Sequence, residues 1–189
     1  MADTAQIPFR EVPYLPLRLK VDRRDDGTIY LENGNPLKTC PPHMLAPLVK
    51  WATQRPDTVW LAERPKDGSD GWREVTYAQG LATVKRLAQG FLDAGGGPDA
   101  PLMILSANAV DNALIKYAAM WAGCPVVPVT PAYALLSEDL GRLKYIDDLI
   151  GPKFIYVEDG AAYQRGLDGM GMDGRVVIFG GDAPERCEA

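Results

Sequence analysis

Residues 102–133, reading LMILSANAVDNALIKYAAMWAGCPVVPVTPAY, constrain the fold more than any other part of the chain, because their apolar pattern changes period twice. Residues 102–105 and 125–129 are unbroken apolar runs with the length of strands buried on both faces. Between them Val110, Ala113, Leu114, Tyr117, Ala118 and Trp121 recur at spacings of three and four, which predicts a helix laying one apolar stripe on a sheet. Asn108 stands at the expected N-cap, Asp111 falls at the third helical position and Gly123 follows the last periodic residue as a stop. Strand, helix and strand in this order predict a right-handed parallel βαβ unit.

The flanking segments extend the same alternation. A proline-rich arm precedes a β-hairpin over 17–32, with Asp25-Asp26-Gly27 as its turn. Leu45, Leu48, Val49 and Ala52 mark a helix that stops before Pro56, and 58–63 with 72–75 read as a second hairpin. Thr76 and Gln79 form a capping box ahead of a helix striped by Leu81, Val84, Leu87, Ala88, Phe91 and Leu92. Beyond the central unit, Ser137 caps a helix carrying Leu140, Leu143, Ile146, Leu149 and Ile150, which Gly151-Pro152 breaks. Strands at 154–157 and 175–179 follow, separated by a short helix over 161–167. The expected class is α/β: an N-terminal hairpin plus a mostly parallel sheet with flanking helices. The expected division is 1–40 as arm and hairpin and 41–189 as the α/β subdomain.

Composition narrows the function classes. A net charge of −5 over 189 residues, with no Lys/Arg-rich run, gives no support to nucleic-acid binding. Cys40, Cys124 and Cys187 are widely spaced and lack a C-x-x-C pair, which suggests neither a disulfide framework nor a zinc site and fits a reducing, cytoplasmic setting. No apolar run approaches the roughly 18 residues of a membrane span, and residues 1–19 lack the apolar core of a signal peptide.

Several chemical motifs are decoys. Gly169-x-Gly171-x-x-Gly174 matches a dinucleotide fingerprint as a string, but it follows a helix and leads into a strand, the reverse of the order that fingerprint needs. Gly151-Pro152-Lys153 lacks the Ser/Thr/Gly run that would hold phosphates. His43, the one histidine, has no patterned nucleophile beside it. Asp25-Asp26, Asp147-Asp148 and Glu158-Asp159 read as turn or solvated surface, and Trp51, Trp60, Trp72 and Trp121 as core. No catalytic or metal-binding residue is assigned. Open α/β sheets bind ligands beyond the carboxyl ends of their strands, which points to Ser106, Ala107 and Asn108 after one strand and to 130–133 after the next. Ser106, Asn108, Thr130 and Tyr133 are the candidate substrate-binding residues. The helix amides at Asn108 could receive an anionic group, plain capping being the simpler reading.

The strand, the Asn-led helix ending Ala122-Gly123, the valine-rich strand and the Thr130-Pro131-x-Tyr133 turn resemble the adenylate-forming acyl-CoA synthetases, and within them the feruloyl-CoA synthases. Asp25-Asp26-Gly27, Val75-Thr76-Tyr77 and Glu158-Asp159-Gly160-Ala161-Ala162 carry the same likeness. The resemblance implies an incomplete part of the AMP-binding ligase fold, truncated before the phosphate loop. It implies a parent that activates a carboxylic acid such as ferulate with ATP and Mg2+, through an acyl-adenylate, and passes it to coenzyme A. The family's phosphate loop, its aromatic-Gly-x-Thr-Glu stretch, its ribose-binding Asp and its mobile-domain Lys are absent from these residues. The implied partners are the remaining ligase, meaning a second N-domain subdomain and the mobile C-terminal domain; a homodimer is left open. The alternatives are a stand-alone non-catalytic α/β binding or dimerisation module and a flavodoxin-like nucleotide binder.

Overall fold

A computed structural model describes residues 11–65 and 68–181. The chain divides into two compact units, Met1–Pro41 and Pro42–Ala189. In the first, β1 (Leu19–Arg23) and β2 (Ile29–Asn33) form an antiparallel hairpin in which Val21 pairs with Leu31. Its turn needs Gly27, at φ 84°, and is tightened by Asp26, whose Oδ1 accepts the Thr28 amide at 2.9 Å. That hydrogen bond also lowers the Asp26 pKa.

The second unit opens with α1 (Ala46–Gln54), followed by the hairpin of β3 (Val59–Glu63) and β4 (Arg73–Thr76). The helix α2 (Tyr77–Asp93) starts at the expected capping box, with the Thr76 hydroxyl accepting the Gln79 amide and the Gln79 side chain accepting the Thr76 amide. The central unit is β5 (Leu102–Leu105), α3 (Val110–Trp121) and β6 (Val126–Val129). Then come α4 (Ala132–Leu135), α5 (Gly141–Ile150), β7 (Phe154–Val157), α6 (Gly160–Met170) and β8 (Val176–Phe179). Four strands form one parallel sheet in the order β6-β5-β7-β8, with Leu102 level with Val126 on one side and Phe154 on the other.

The pleat sends alternate side chains to opposite faces, so two cores flank the sheet. Leu102, Ile104, Phe154 and Tyr156 pack with Ala88 and Phe91 of α2 and Ile115, Ala118 and Ala119 of α3. Met103, Leu105, Ile155 and Val157 pack with Ala134, Leu143, Tyr163 and Leu167 of α4, α5 and α6. Every side chain of β5 and β7 is buried. At about 1.5 to 3 kcal/mol for each large apolar side chain, these central strands are the thermodynamic centre of the fold.

The structure corrects several expectations. Of the stripe Val110, Ala113, Leu114, Tyr117, Ala118 and Trp121, Val110, Leu114 and Tyr117 pack with α1, α2 and β3, Ala118 lies with Ile115, Ala119 and Ala122 on the sheet, and Trp121 packs against both cores. Lying on the sheet beside α2, which itself reaches β7 through the Phe91–Phe154 contact, α3 needs two apolar faces, and the face with the small residues is the one that meets the strands. Trp121 is therefore half-buried. Trp72 is exposed, with the Arg64 guanidinium 4.7 Å from its ring centroid. Ser137 does not begin α5 directly. Its hydroxyl accepts the Leu140 amide, Leu140 occupies the left-handed region at φ 56°, and the helix starts at Gly141. On α5, Leu149 is exposed while Asp147 is buried and paired with Arg175 at 2.5 Å, so Asp147-Asp148 is not wholly a solvated pair. The glycines at 169, 171 and 174 end α6 and lead into β8, as the order of the sequence implied. Cys187 lies outside the described residues.

Candidate functional site

The parallel strands end at a common edge, and the residues that follow β5 and β7 wall a cleft of about 540 Å3. It is lined by Glu63 and Arg73 from the second hairpin, Asp111 from α3, and Tyr156 and Glu158 at the end of β7.

The hairpin grips the start of α3. Glu63 and Arg73 face each other in register across β3 and β4, and the Arg73 guanidinium donates to Glu63 Oε1 at 2.8 Å. The same guanidinium forks onto both carboxylate oxygens of Asp111, at 2.9 and 2.6 Å. Paired carboxylates, Asp111 first, raise the Arg73 pKa further above its ordinary value. The second Glu63 oxygen accepts the Val110 amide at 2.7 Å. Glu63 thus performs the capping expected of Asn108. The N-cap is Ala109, which makes no side-chain cap bond, and Asn108 is exposed. An internal carboxylate already occupies the first amide at which an external anion was considered, and Asp111 adds a second negative charge to the same helix turn.

A separate network fixes the turn after β5. Ser106 is buried and donates its hydroxyl to the Ala107 carbonyl at 2.8 Å, with Glu158 Oε2 at 3.5 Å. Glu158 Oε1 accepts the Ala107 amide at 3.1 Å and the Tyr163 hydroxyl at 3.2 Å. The Asn112 amide, also buried, donates to the Ser106 and Ala107 carbonyls at 3.4 and 2.9 Å. Burial, helped by the charges of Asp111 and Glu158, pushes the Tyr156 phenol up to about 12. Burial and then Glu158 raise Tyr163 as well.

The four candidate residues do not form one cluster. Ser106 is tied to β7 through Glu158, Asn108 projects from the loop, and Thr130 is exposed at the start of the α4 turn, where its carbonyl accepts the Tyr133 amide. The Tyr133 hydroxyl accepts from Arg142 at 3.3 Å, placing it in the α4–α5 neighbourhood. Sequence reasoning missed Glu63, Arg73, Asn112 and Glu158, because their roles depend on hairpin register and on strand order, not on local spacing.

This geometry positions backbone. The Ser106 hydroxyl is engaged with a carbonyl and has no imidazole beside it, so it is not arranged as a nucleophile. His43 is exposed ahead of α1. Among the described residues no three metal-ligating side chains converge. Four carboxylates, Glu63, Asp111, Glu158 and Asp159, outnumber the two guanidiniums, Arg64 and Arg73, in the lining of the cleft. No described helix is long and apolar enough to cross a membrane.

Residues 48–183 match the family described as AMP-binding enzyme. The chain belongs to the AMP-binding enzyme family. Solved structures of similar fold include a fatty acyl-adenylate ligase from L. pneumophila, in complex with acyl adenylate and pyrophosphate, at 16% identity and a TM-score of 0.57. They also include VinN, at 18% identity and 0.55, and the nonribosomal peptide synthetase FmoA3 in an AMPPNP-bound form, at 15% and 0.57. The alignments cover 70%, 69% and 76% of this chain, but only 22%, 31% and 14% of those chains. This chain therefore spans less than a third of each of these structures. No curated protein sequence gives a significant match.

Proposed function

We propose that these residues are the N-terminal part of an adenylate-forming carboxylic acid–CoA ligase, with residues 1–40 as an arm and hairpin and 41–189 as the first α/β subdomain. In the parent, ATP and Mg2+ would convert the acid to an acyl-adenylate, which coenzyme A would then receive. The observation that carries this reading is the family match over residues 48–183, on a parallel sheet that shares its fold with acyl-adenylate ligases. The cleft supports the same division of labour. Its carboxylates hold the β5–α3 turn and the hairpin in place, and the adenylation chemistry falls to the rest of the ligase. Ser106 and Asn108 after β5, and Thr130 and Tyr133 after β6, are the positions assigned to substrate binding, with no catalytic role. The acid is a hydroxycinnamate such as ferulate, in line with the sequence resemblance, and the setting is cytoplasmic.

The test is hydroxamate capture of acyl-adenylates by the product of the native gene, over aromatic, fatty and amino acids. Preference for ferulate or a near relative supports the full reading. Activation of a fatty or amino acid instead would retain the ligase and remove the hydroxycinnamate assignment.

A further inference from the structure

Residues 12–18 read Val-Pro-Tyr-Leu-Pro-Leu-Arg, and neither the ligase reading nor the β1–β2 hairpin makes use of them. Proline fixes φ near −65° and pushes the residue before it toward extended backbone. Val12, Pro13, Leu15 and Pro16 are therefore all biased to polyproline II by their own covalent structure. The segment lies outside any helix or strand, and each of its residues is exposed, Tyr14 at 83% and Leu17 at 85%.

A polyproline II helix has three residues per turn, so positions three apart share an edge. Pro13 and Pro16 form one edge, Val12, Leu15 and Arg18 a second, and Tyr14 and Leu17 the third. Two apolar–proline pairs and a cation at a fixed distance beyond them are thus presented together, with Tyr14 and Leu17 turned away. The segment is tied to the hairpin through its backbone: the Asn35 side chain donates to the Pro16 carbonyl at 3.0 Å, and the Gly34 amide donates to the Arg18 carbonyl. The hairpin's ion pairs join Lys20 to Glu32 and Arg24 to Asp22, which leaves the Arg18 guanidinium without a carboxylate partner among the described residues. One contact opposes the extended form. The Tyr14 amide donates to the Val12 carbonyl at 2.8 Å, a three-residue bend centred on Pro13. Such a bend and polyproline II share φ and differ in the ψ of that one residue, so straightening gives up a single backbone hydrogen bond.

We propose that residues 12–18 are a docking segment for a partner protein whose groove is lined by aromatic rings and closed at one end by carboxylates, the surface of an SH3-type domain. The two apolar–proline pairs fill the slots between the rings. Arg18 pairs with the carboxylates and so sets the direction in which the segment lies. Because proline has already restricted the backbone, docking loses little chain entropy. The local charge agrees with an acidic groove: Arg18, Lys20, Arg23 and Arg24 outnumber Glu11 and Asp22 across residues 11–24, in a chain whose net charge is −5. The proposal stands apart from the ligase reading and does not depend on it.

The probe is an isolated SH3 domain that prefers proline segments ending in Arg, titrated by calorimetry into the 189-residue chain and into the product of the native gene. Saturable one-to-one binding to both is expected. Arg18→Glu should weaken it about 10-fold or more, since a charge-assisted contact becomes a repulsion, and Pro13→Ala combined with Pro16→Ala should abolish it. Tyr14→Ser and Leu17→Ser, on the edge turned away, should leave the affinity unchanged. All these positions lie in exposed coil, so an unchanged melting temperature in each variant separates lost docking from lost folding. Absence of saturable binding by the native product at up to about 1 mM probe, whether or not the shorter chain binds, would overturn the proposal. Losses from Tyr14→Ser and Leu17→Ser equal to those from the proline changes would overturn it as well.

Discussion

Arg175→Met should destabilise the fold through the carboxylate it leaves behind. Asp147 lies on the inner side of α5 with its side chain only 4% exposed, against 21% for Arg175, and the guanidinium is its ion-pair partner at 2.5 Å. Removing one member of a buried pair costs about 3 to 5 kcal/mol, because a desolvated charge remains uncompensated. The partly open Arg175 side admits some water, so we expect about 2 to 4 kcal/mol. With a urea m-value of about 2 kcal/mol/M, the midpoint should fall by about 1 to 2 M. The companion variant is Asp147→Leu with Arg175→Met, which removes both charges and roughly keeps both volumes. Such replacements are often neutral or better, so the double variant should recover to within about 1 kcal/mol of the parent. A single variant within about 0.5 kcal/mol of the parent, or a double variant as weak as the single, would refute the reasoning.

Gly80→Ala should destabilise α2 despite the better helix propensity of alanine, because the new methyl would fall on the Trp60 ring, 2.6 Å from its ζ3 carbon. Trp60 cannot easily retreat, since it stacks on Tyr77 at 6.0 Å and meets Tyr117 edge-on at 5.1 Å; a loss of about 1 to 3 kcal/mol in urea melts is expected. Because the Tyr156 phenol is pushed up to about 12 from an ordinary 10.0, the native state holds that proton more tightly than the unfolded chain. The resulting stabilisation is present below pH 10 and lost as pH rises through about 12, so Tyr156→Phe should flatten the stability profile in that window. Trp121→Ala should cost about 2 kcal/mol, below the range of about 3 to 5 for a fully buried aromatic, since the indole is half-buried. Lys116→Ala should stay within about 0.5 kcal/mol, and equal losses at the two sites would contradict the packing of α3.

The strands and their parallel order were legible because buried β5 and β7 are written as continuous apolar runs, and the Thr76–Gln79 capping box is a local signal that tertiary structure had no cause to override. What was not legible depended on partners distant in sequence. Asn108 is a favoured capping residue, yet Glu63 does the capping because the β3–β4 hairpin brings it to the helix. Periodicity found α3 but merged its two faces, since the stripe held Val110, Leu114 and Tyr117, which pack with α1, α2 and β3, together with Ala118, which lies on the sheet. Asp147 looked solvated beside Asp148 until Arg175, at the threshold of β8, supplied its partner. Ser106 and Thr130 do follow the ends of β5 and β6, as the apolar runs implied, but Tyr133 was drawn into its own neighbourhood by Arg142, through contacts that spacing does not encode.

The most direct test of the central reading is ATP–pyrophosphate exchange, run side by side on the purified 189-residue chain and on the product of the native gene. Adenylation places a carboxylate against a polyanionic triphosphate and so requires converging amides, positive charge and usually a divalent metal. The cleft described above instead presents more carboxylates than guanidiniums among its charged lining residues. The account predicts acid-dependent exchange by the native product and none above background by the 189 residues alone. Robust exchange by the shorter chain, or none by the native product with any acid, would contradict it.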